Sequence, residues 1–147
     1  MKQVNPSLVL AVATVASLLP TTAAWAASPA EAAPHVRPAR IEPIEGTNLR
    51  RIILTDKAAQ RLDIQLAEVM QDPSGEWVVP YASILYDLAG QAWVYTSPEP
   101  RSFVRHKVSV DRVSGENAYL KDGPPAGTRV VTVGVAQLYG AEKGVGH

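Results

Sequence analysis

The chain has 147 residues, contains no cysteine, and carries 14 basic against 14 acidic side chains. The length fits one domain, and the absence of cysteine excludes disulfides, thiolate metal sites, a cysteine nucleophile and a lipoprotein-type anchor. A formal net charge of zero argues against a general nucleic-acid-binding protein, which needs an excess of basic residues to contact phosphates. The 12 prolines and 10 glycines indicate many turns, and therefore short strands rather than long helices.

The N-terminus has the features of a signal peptide. Lys2 supplies a positive charge, and residues 7–19 form an uncharged apolar run. As a helix this run would span only about 20 Å, too short for the roughly 30 Å bilayer core. Ala24-Trp25-Ala26 is a small-x-small cleavage site. We therefore predict that residues 1–26 are removed by cleavage after Ala26 and that the mature protein is periplasmic. The alternative is an uncleaved anchor that holds the protein at the inner membrane.

The mature chain divides into three predicted parts. Residues 27–47 are rich in alanine and proline and have no apolar periodicity, so we predict a disordered linker. Residues 48–139 are predicted to form one mainly β domain. Residues 140–147 hold three glycines and no core pattern, and are predicted to be a flexible tail.

One short helix is predicted near the start of the β domain. It follows a candidate strand at residues 51–54. Thr55 is a suitable N-cap, and Asp56 is favourable in the first helical turn. Period-two alternation resumes at Ile64, so the helix is predicted near Thr55 to Leu62.

The remainder of the domain is predicted to be short antiparallel strands separated by turns. Asp72–Gly75 predicts a hairpin, because proline presets φ and glycine accepts positive φ. The longest amphipathic strand is predicted at residues 103–112, with His106 on its apolar face and Arg105 and Lys107 on its polar face. About seven such strands favour a small antiparallel β-barrel or roll, since either architecture protects strand edges. The other predicted strands are 77–79, 82–86, 92–96, 118–121 and 129–133, and Ala136 to Tyr139 is a candidate helical turn.

No arrangement of residues indicates catalysis. The sequence motifs of zinc proteases, serine hydrolases, phosphate loops and dinucleotide-binding folds do not occur, so we predict no enzyme activity, no cofactor and no metal. The three histidines are scattered along the sequence: His35 in the predicted linker, His106 in a strand and His147 at the C-terminus. We interpret His106 as a half-buried structural residue.

A basic cluster is the candidate binding site. Arg101, Arg105, Lys107 and Arg112 fall within twelve residues, with Phe103 among them. Two interpretations stay open. The cluster is a solvated outer strand face, or it is a docking surface for an acidic partner or for anionic lipid head groups. Exposure of Phe103 and of the nearby Trp93 would favour docking.

Several segments share residues with one protein family, in the same order. These segments are Ile52 to Val69, VPYASILY at 79–86, GQAWVY at 90–95, FVRH at 103–106, DGPPAGTRVVTVG at 122–134 and LYGAE at 138–142. Their order and spacing resemble the periplasmic adaptor subunits of tripartite efflux systems that serve RND transporters, the membrane-fusion-protein (HlyD-like) family. In that family a lipoyl-like half-motif, a long α-helical hairpin and a β-barrel domain separate the first segment from the others. Here residues 70–75 bridge the gap with one tight turn, and no heptads indicate a coiled coil.

The resemblance implies a self-contained form of the membrane-proximal β-domain of such adaptors. The expected function is that of a binding module that docks on an RND inner-membrane pump or on a full-length adaptor subunit, and so contributes to export by protein–protein contact. The residue pattern places the contact surface at the basic cluster. Two alternatives stay open: a soluble periplasmic ligand- or metal-binding protein, and an adaptor remnant without a present role.

Overall fold

The structure, a computed structural model, describes residues 37–144. The predicted signal peptide, the first part of the predicted linker, His35 and His147 lie outside the described residues. The described chain is mainly β, as predicted, with antiparallel strands in two sheets and two α-helices. Neither sheet closes into a barrel within this part of the chain, so of the two predicted architectures the barrel is not observed.

The larger sheet has seven strands. They are β1 (Ala39–Pro43), β2 (Arg50–Leu54), β3 (Gln65–Glu68), β6 (Leu85–Tyr86), β7 (Ala92–Glu99), β8 (Ser102–Lys107) and β11 (Arg129–Val133). Their order is β1-β2-β8-β7-β11-β3, and the short β6 pairs with β7. Strand β1 lies inside the segment predicted as a linker. Its register with β2, from Ala39 opposite Leu54 to Pro43 opposite Arg50, supplies the backbone partners that the sequence pattern did not reveal.

The smaller sheet has four strands. They are β4 (Met70–Gln71), β5 (Trp77–Pro80), β9 (Ser109–Ser114) and β10 (Asn117–Asp122), in the order β4-β5-β10-β9. The predicted hairpin at Asp72–Gly75 is confirmed and joins β4 to β5. The Gly75 amide donates to the Asp72 carbonyl at 2.9 Å, and Gly75 has a φ of +87°.

The chain passes from the larger sheet to the smaller one at two buried valines. Only Val69 separates β3 from β4, and only Val108 separates β8 from β9; each is 2% exposed. Bends of this kind form the corners where a strand leaves one sheet for another. The amphipathic segment at residues 103–112, predicted as one strand, is therefore two strands in two sheets.

Two cores share the central strands. Tyr95 and Val131 point toward the two helices, whereas their neighbours Val94 and Val130 point toward the smaller sheet. Because neighbouring residues of a strand face opposite sides, β7 and β11 are covered on both faces.

Helix α1 (Asp56–Arg61) confirms the predicted short helix, and the Thr55 hydroxyl accepts a hydrogen bond from the Ala58 amide at 3.2 Å. Helix α2 (Val135–Lys143) is longer than the single turn predicted, and it continues into residues predicted as a flexible tail. Gly134 caps its N-terminus at a φ of +95°, where a Cβ atom would collide with Ile64.

Candidate docking surface

A hydrogen-bonded turn joins β6 to β7, and the Asp87 carboxylate accepts three of its hydrogen bonds. Its Oδ1 accepts hydrogen bonds from the amides of Ala89 and Gln91, and its Oδ2 accepts from Nε1 of Trp93, all at 2.9 Å. The Trp93 indole first, and then the backbone amides, lower the pKa of Asp87. The carboxylate is therefore ionised at neutral pH and favours one conformation of the turn.

The turn exposes apolar side chains. Leu88 is 104% exposed, and Tyr86, at the end of β6, is 50% exposed. An apolar side chain that stays in water does not stabilise the fold through the hydrophobic effect, because that effect requires burial. Leu88 and Tyr86 lie two positions apart in the sequence, and apolar side chains that form a contiguous exposed patch are typical of contact sites.

Two polar side chains lie at the same end of the larger sheet. Lys107 faces Trp93 in the strand register, and His106 faces Val94 on the opposite side of the sheet. Both polar residues are exposed, and Lys107 forms no ion pair with any residue between 37 and 144. We call this end of the larger sheet the hairpin surface: Lys107 lies on its helix side, Tyr86 and His106 lie on its other side, and Leu88 lies in the turn.

A buried polar network lies behind the hairpin surface. Nε of Arg105 is 2.8 Å from Oε2 of Glu142, and the Tyr95 hydroxyl donates to the same oxygen at 2.6 Å. The guanidinium carbon lies 4.5 Å from the centre of the Trp93 ring and 5.6 Å from that of Tyr139. Burial, followed by the hydrogen bond to Glu142, raises the pKa of Tyr95 well above its usual range. Trp93 is therefore held by two contacts, the Arg105 guanidinium at its ring and the Asp87 carboxylate at its indole nitrogen.

The structure corrects the predicted exposure of Arg105. Arg105 and Lys107 do share a strand face. Helix α2 covers this face at Arg105, which is 7% exposed, but not at Lys107. Phe103 lies on the same face in the helix-side core and is 2% exposed. His106, predicted on the apolar face, is exposed instead. The prediction that the Arg105 face is the exposed one was wrong, because an arginine paired with a carboxylate can be buried.

The remaining predicted binding residues lie elsewhere. Arg101 is in the turn between β7 and β8, at the opposite end of β8 from Lys107, and pairs with Asp56 at 2.8 Å. Arg112 is on the smaller sheet, where its two terminal nitrogens bind the Glu76 carboxylate at 2.6 and 2.7 Å. The five predicted residues therefore do not form one surface, and only Lys107 belongs to the hairpin surface.

Sequence reasoning missed Tyr86 and Leu88. The only signal for Leu88 is a leucine in the turn sequence Asp87-Leu88-Ala89-Gly90, where polar residues are more common.

The described residues contain no group of three or more acidic or histidine side chains placed to hold a metal ion. Among residues 37–144, no helix has the length and apolar character needed to cross a membrane. Comparisons of the chain with protein-family models, curated proteins and solved structures found no match.

Proposed function

We propose that the protein is a periplasmic adaptor-like binding module of an RND-type efflux system, which contributes to export by contact with the inner-membrane pump or with a full-length adaptor subunit. The resemblance of the segments between Ile52 and Glu142 supplies the partner class. The hairpin surface is the contact site. The observation that carries the proposal is a fully exposed leucine, Leu88, on a turn that the Asp87 carboxylate holds in one conformation.

The physical basis for contact is burial at a preorganised turn. Removing a leucine side chain from water contributes about 1.5–3 kcal/mol. The hydrogen bonds of Asp87 already order the turn, so binding loses less conformational entropy than it would with a flexible loop. Lys107, which lies opposite Trp93 in the strand register, favours a partner with acidic residues at the rim of its site, since opposite charges at a rim increase the association rate.

The experiment is a binding titration of the purified chain against a detergent-solubilised RND pump and, separately, against a full-length adaptor subunit and against anionic lipid vesicles. We expect Leu88→Ser to weaken binding about tenfold, the equivalent of about 1.4 kcal/mol. Val113→Ser is the matched control, because Val113 is also an exposed apolar residue, 47% accessible, but lies on β9 of the smaller sheet.

Three results would contradict the proposal. They are equal weakening by both variants, no binding of the wild-type protein to either partner, and binding only to anionic lipid vesicles. The last result would assign the hairpin surface to the membrane rather than to a protein.

A further inference from the structure

An apolar groove lies between α1 and α2, on the helix-covered side of the larger sheet. Its volume is about 1010 Å³, at the upper end of the range for small-molecule sites. Its lining on the sheet side comes from Ala39, Ile41 and Leu54. The groove is separate from the hairpin surface, because the two share no residue.

Most of the residues of α1 and α2 that line the groove have small side chains. Ala58 of α1 and Ala136, Gly140 and Ala141 of α2 line it. The large side chain of Leu138 on α2 is turned into the core instead. Helices normally close on each other by interdigitating larger side chains, so this pairing leaves the space between them open.

The charges on the groove have one sign. Among residues 37–144, Arg37 and Arg61 are the only charged side chains that line it, and no acidic side chain of this range does. Both arginines are exposed, and neither forms an ion pair with any residue of the described chain. A groove with apolar walls and an unpaired guanidinium group suits a ligand with an alkyl chain and one anionic head, because arginine binds carboxylates with good geometry.

We propose that this groove binds a single-chain amphiphile with a carboxylate head group, of the fatty-acid class. The alkyl chain lies between the helices against Ile41, Leu54 and Leu62, and the carboxylate pairs with the guanidinium groups of Arg61 and Arg37. This activity is independent of docking through the hairpin surface.

The test is calorimetric titration of the whole chain with dodecanoate below its micelle-forming concentration. We expect saturable binding that tightens from octanoate to dodecanoate, by up to about fourfold for each added methylene that the groove buries. Dodecyltrimethylammonium, which has the same chain and the opposite charge, should bind at least tenfold more weakly. Binding that is independent of chain length or of head-group sign would overturn the proposal.

Variants locate the site. Arg61→Gln should weaken dodecanoate binding several-fold, whereas Lys57→Gln, an exposed cation on the same helix that does not line the groove, should leave it unchanged. Ala136→Trp should fill the groove and abolish binding; Ala136 is exposed, and circular dichroism checks that the fold is retained. If Ala136→Trp fails to fold, the comparison of Arg61→Gln with Lys57→Gln tests whether the groove is the binding site. Equal binding by these two variants would overturn the proposal.

Other occupants of the groove give distinct results. A dimer in sedimentation that Ala136→Trp dissociates would assign the groove to a second copy of the chain and overturn the proposal. Wild-type protein that binds no dodecanoate would also overturn it. Pump binding should be the same for Arg61→Gln and wild type. A failure of the fatty-acid proposal therefore does not bear on the docking proposal, which has a separate test.

Discussion

The carboxylate of Glu142 holds the guanidinium of Arg105 at 2.8 Å, although 37 positions separate the two residues in the sequence. Glu142 is 2% exposed and also accepts a hydrogen bond from the Tyr95 hydroxyl. The last helix is thereby attached to the centre of the larger sheet by a buried ion pair. Residues near the C-terminus therefore form part of the core rather than a tail.

Removing the carboxylate of Glu142 should destabilise the fold strongly. Glu142→Ala leaves the buried Arg105 without a counter-charge, and breaking a buried pair in this way costs about 3–5 kcal/mol. Urea unfolding measures the loss, with Glu68→Ala on an exposed position of β3 as the control. Arg105→Glu, which would bury two carboxylates together, should prevent folding. A change below about 1 kcal/mol for Glu142→Ala would show that the pair does not hold the helix in place.

Gly134 should tolerate no side chain. Gly134→Ala combines a positive φ with a collision at Ile64, so it should lower the free energy of unfolding by more than the roughly 1 kcal/mol that strain alone causes. Gly127→Ala is the control, since Gly127 has a φ of +86° with open space around its Cβ position. Thermal unfolding compares the two, and equal losses would mean that the contact with Ile64 relaxes freely.

The sequence predicted the elements whose signals are local. Thr55 is an N-cap residue, and Asp72–Gly75 is a turn sequence with proline and glycine. Helix α1 and the hairpin lie where these residues predicted them. The corners at Val69 and Val108 were not predictable, because the period-two alternation continues through the bend while the backbone changes sheets. Arg105 was misplaced because its counter-charge, Glu142, is distant in sequence.

The β6–β7 turn should lose stability in acid. Hydrogen bonds to the carboxylate lower the folded-state pKa of Asp87 below the unfolded value of about 3.9. Its contribution is therefore present above about pH 3.9 and is lost as the pH falls through the folded-state pKa. NMR titration should show the Asp87 carboxyl and the Trp93 indole proton moving together with a midpoint below 3.9. Asp87→Asn should remove the transition from the indole signal, and a midpoint at or above 3.9 would contradict the proposed hydrogen bonding.

Reversing the charge of Lys107 should slow docking on the pump or adaptor. Lys107 is exposed and forms no ion pair with any residue between 37 and 144, so Lys107→Glu should leave folding intact and reduce the association rate several-fold at low salt. The difference should shrink as ionic strength rises, because salt screens exposed charges. Lys57→Glu on α1 makes the same charge change away from the hairpin surface. An equal effect from that variant would show that the association rate depends on net charge and not on the position of Lys107.

Site-specific photo-crosslinking in intact bacteria tests the docking claim most directly. A photoreactive residue replaces Leu88 on the hairpin surface in one variant and Val113 on β9 in the other, both at exposed positions. The docking account predicts that position 88 forms a crosslink to an RND pump or a full-length adaptor subunit and that position 113 does not. No crosslink from position 88, or the same products from both positions, would contradict it.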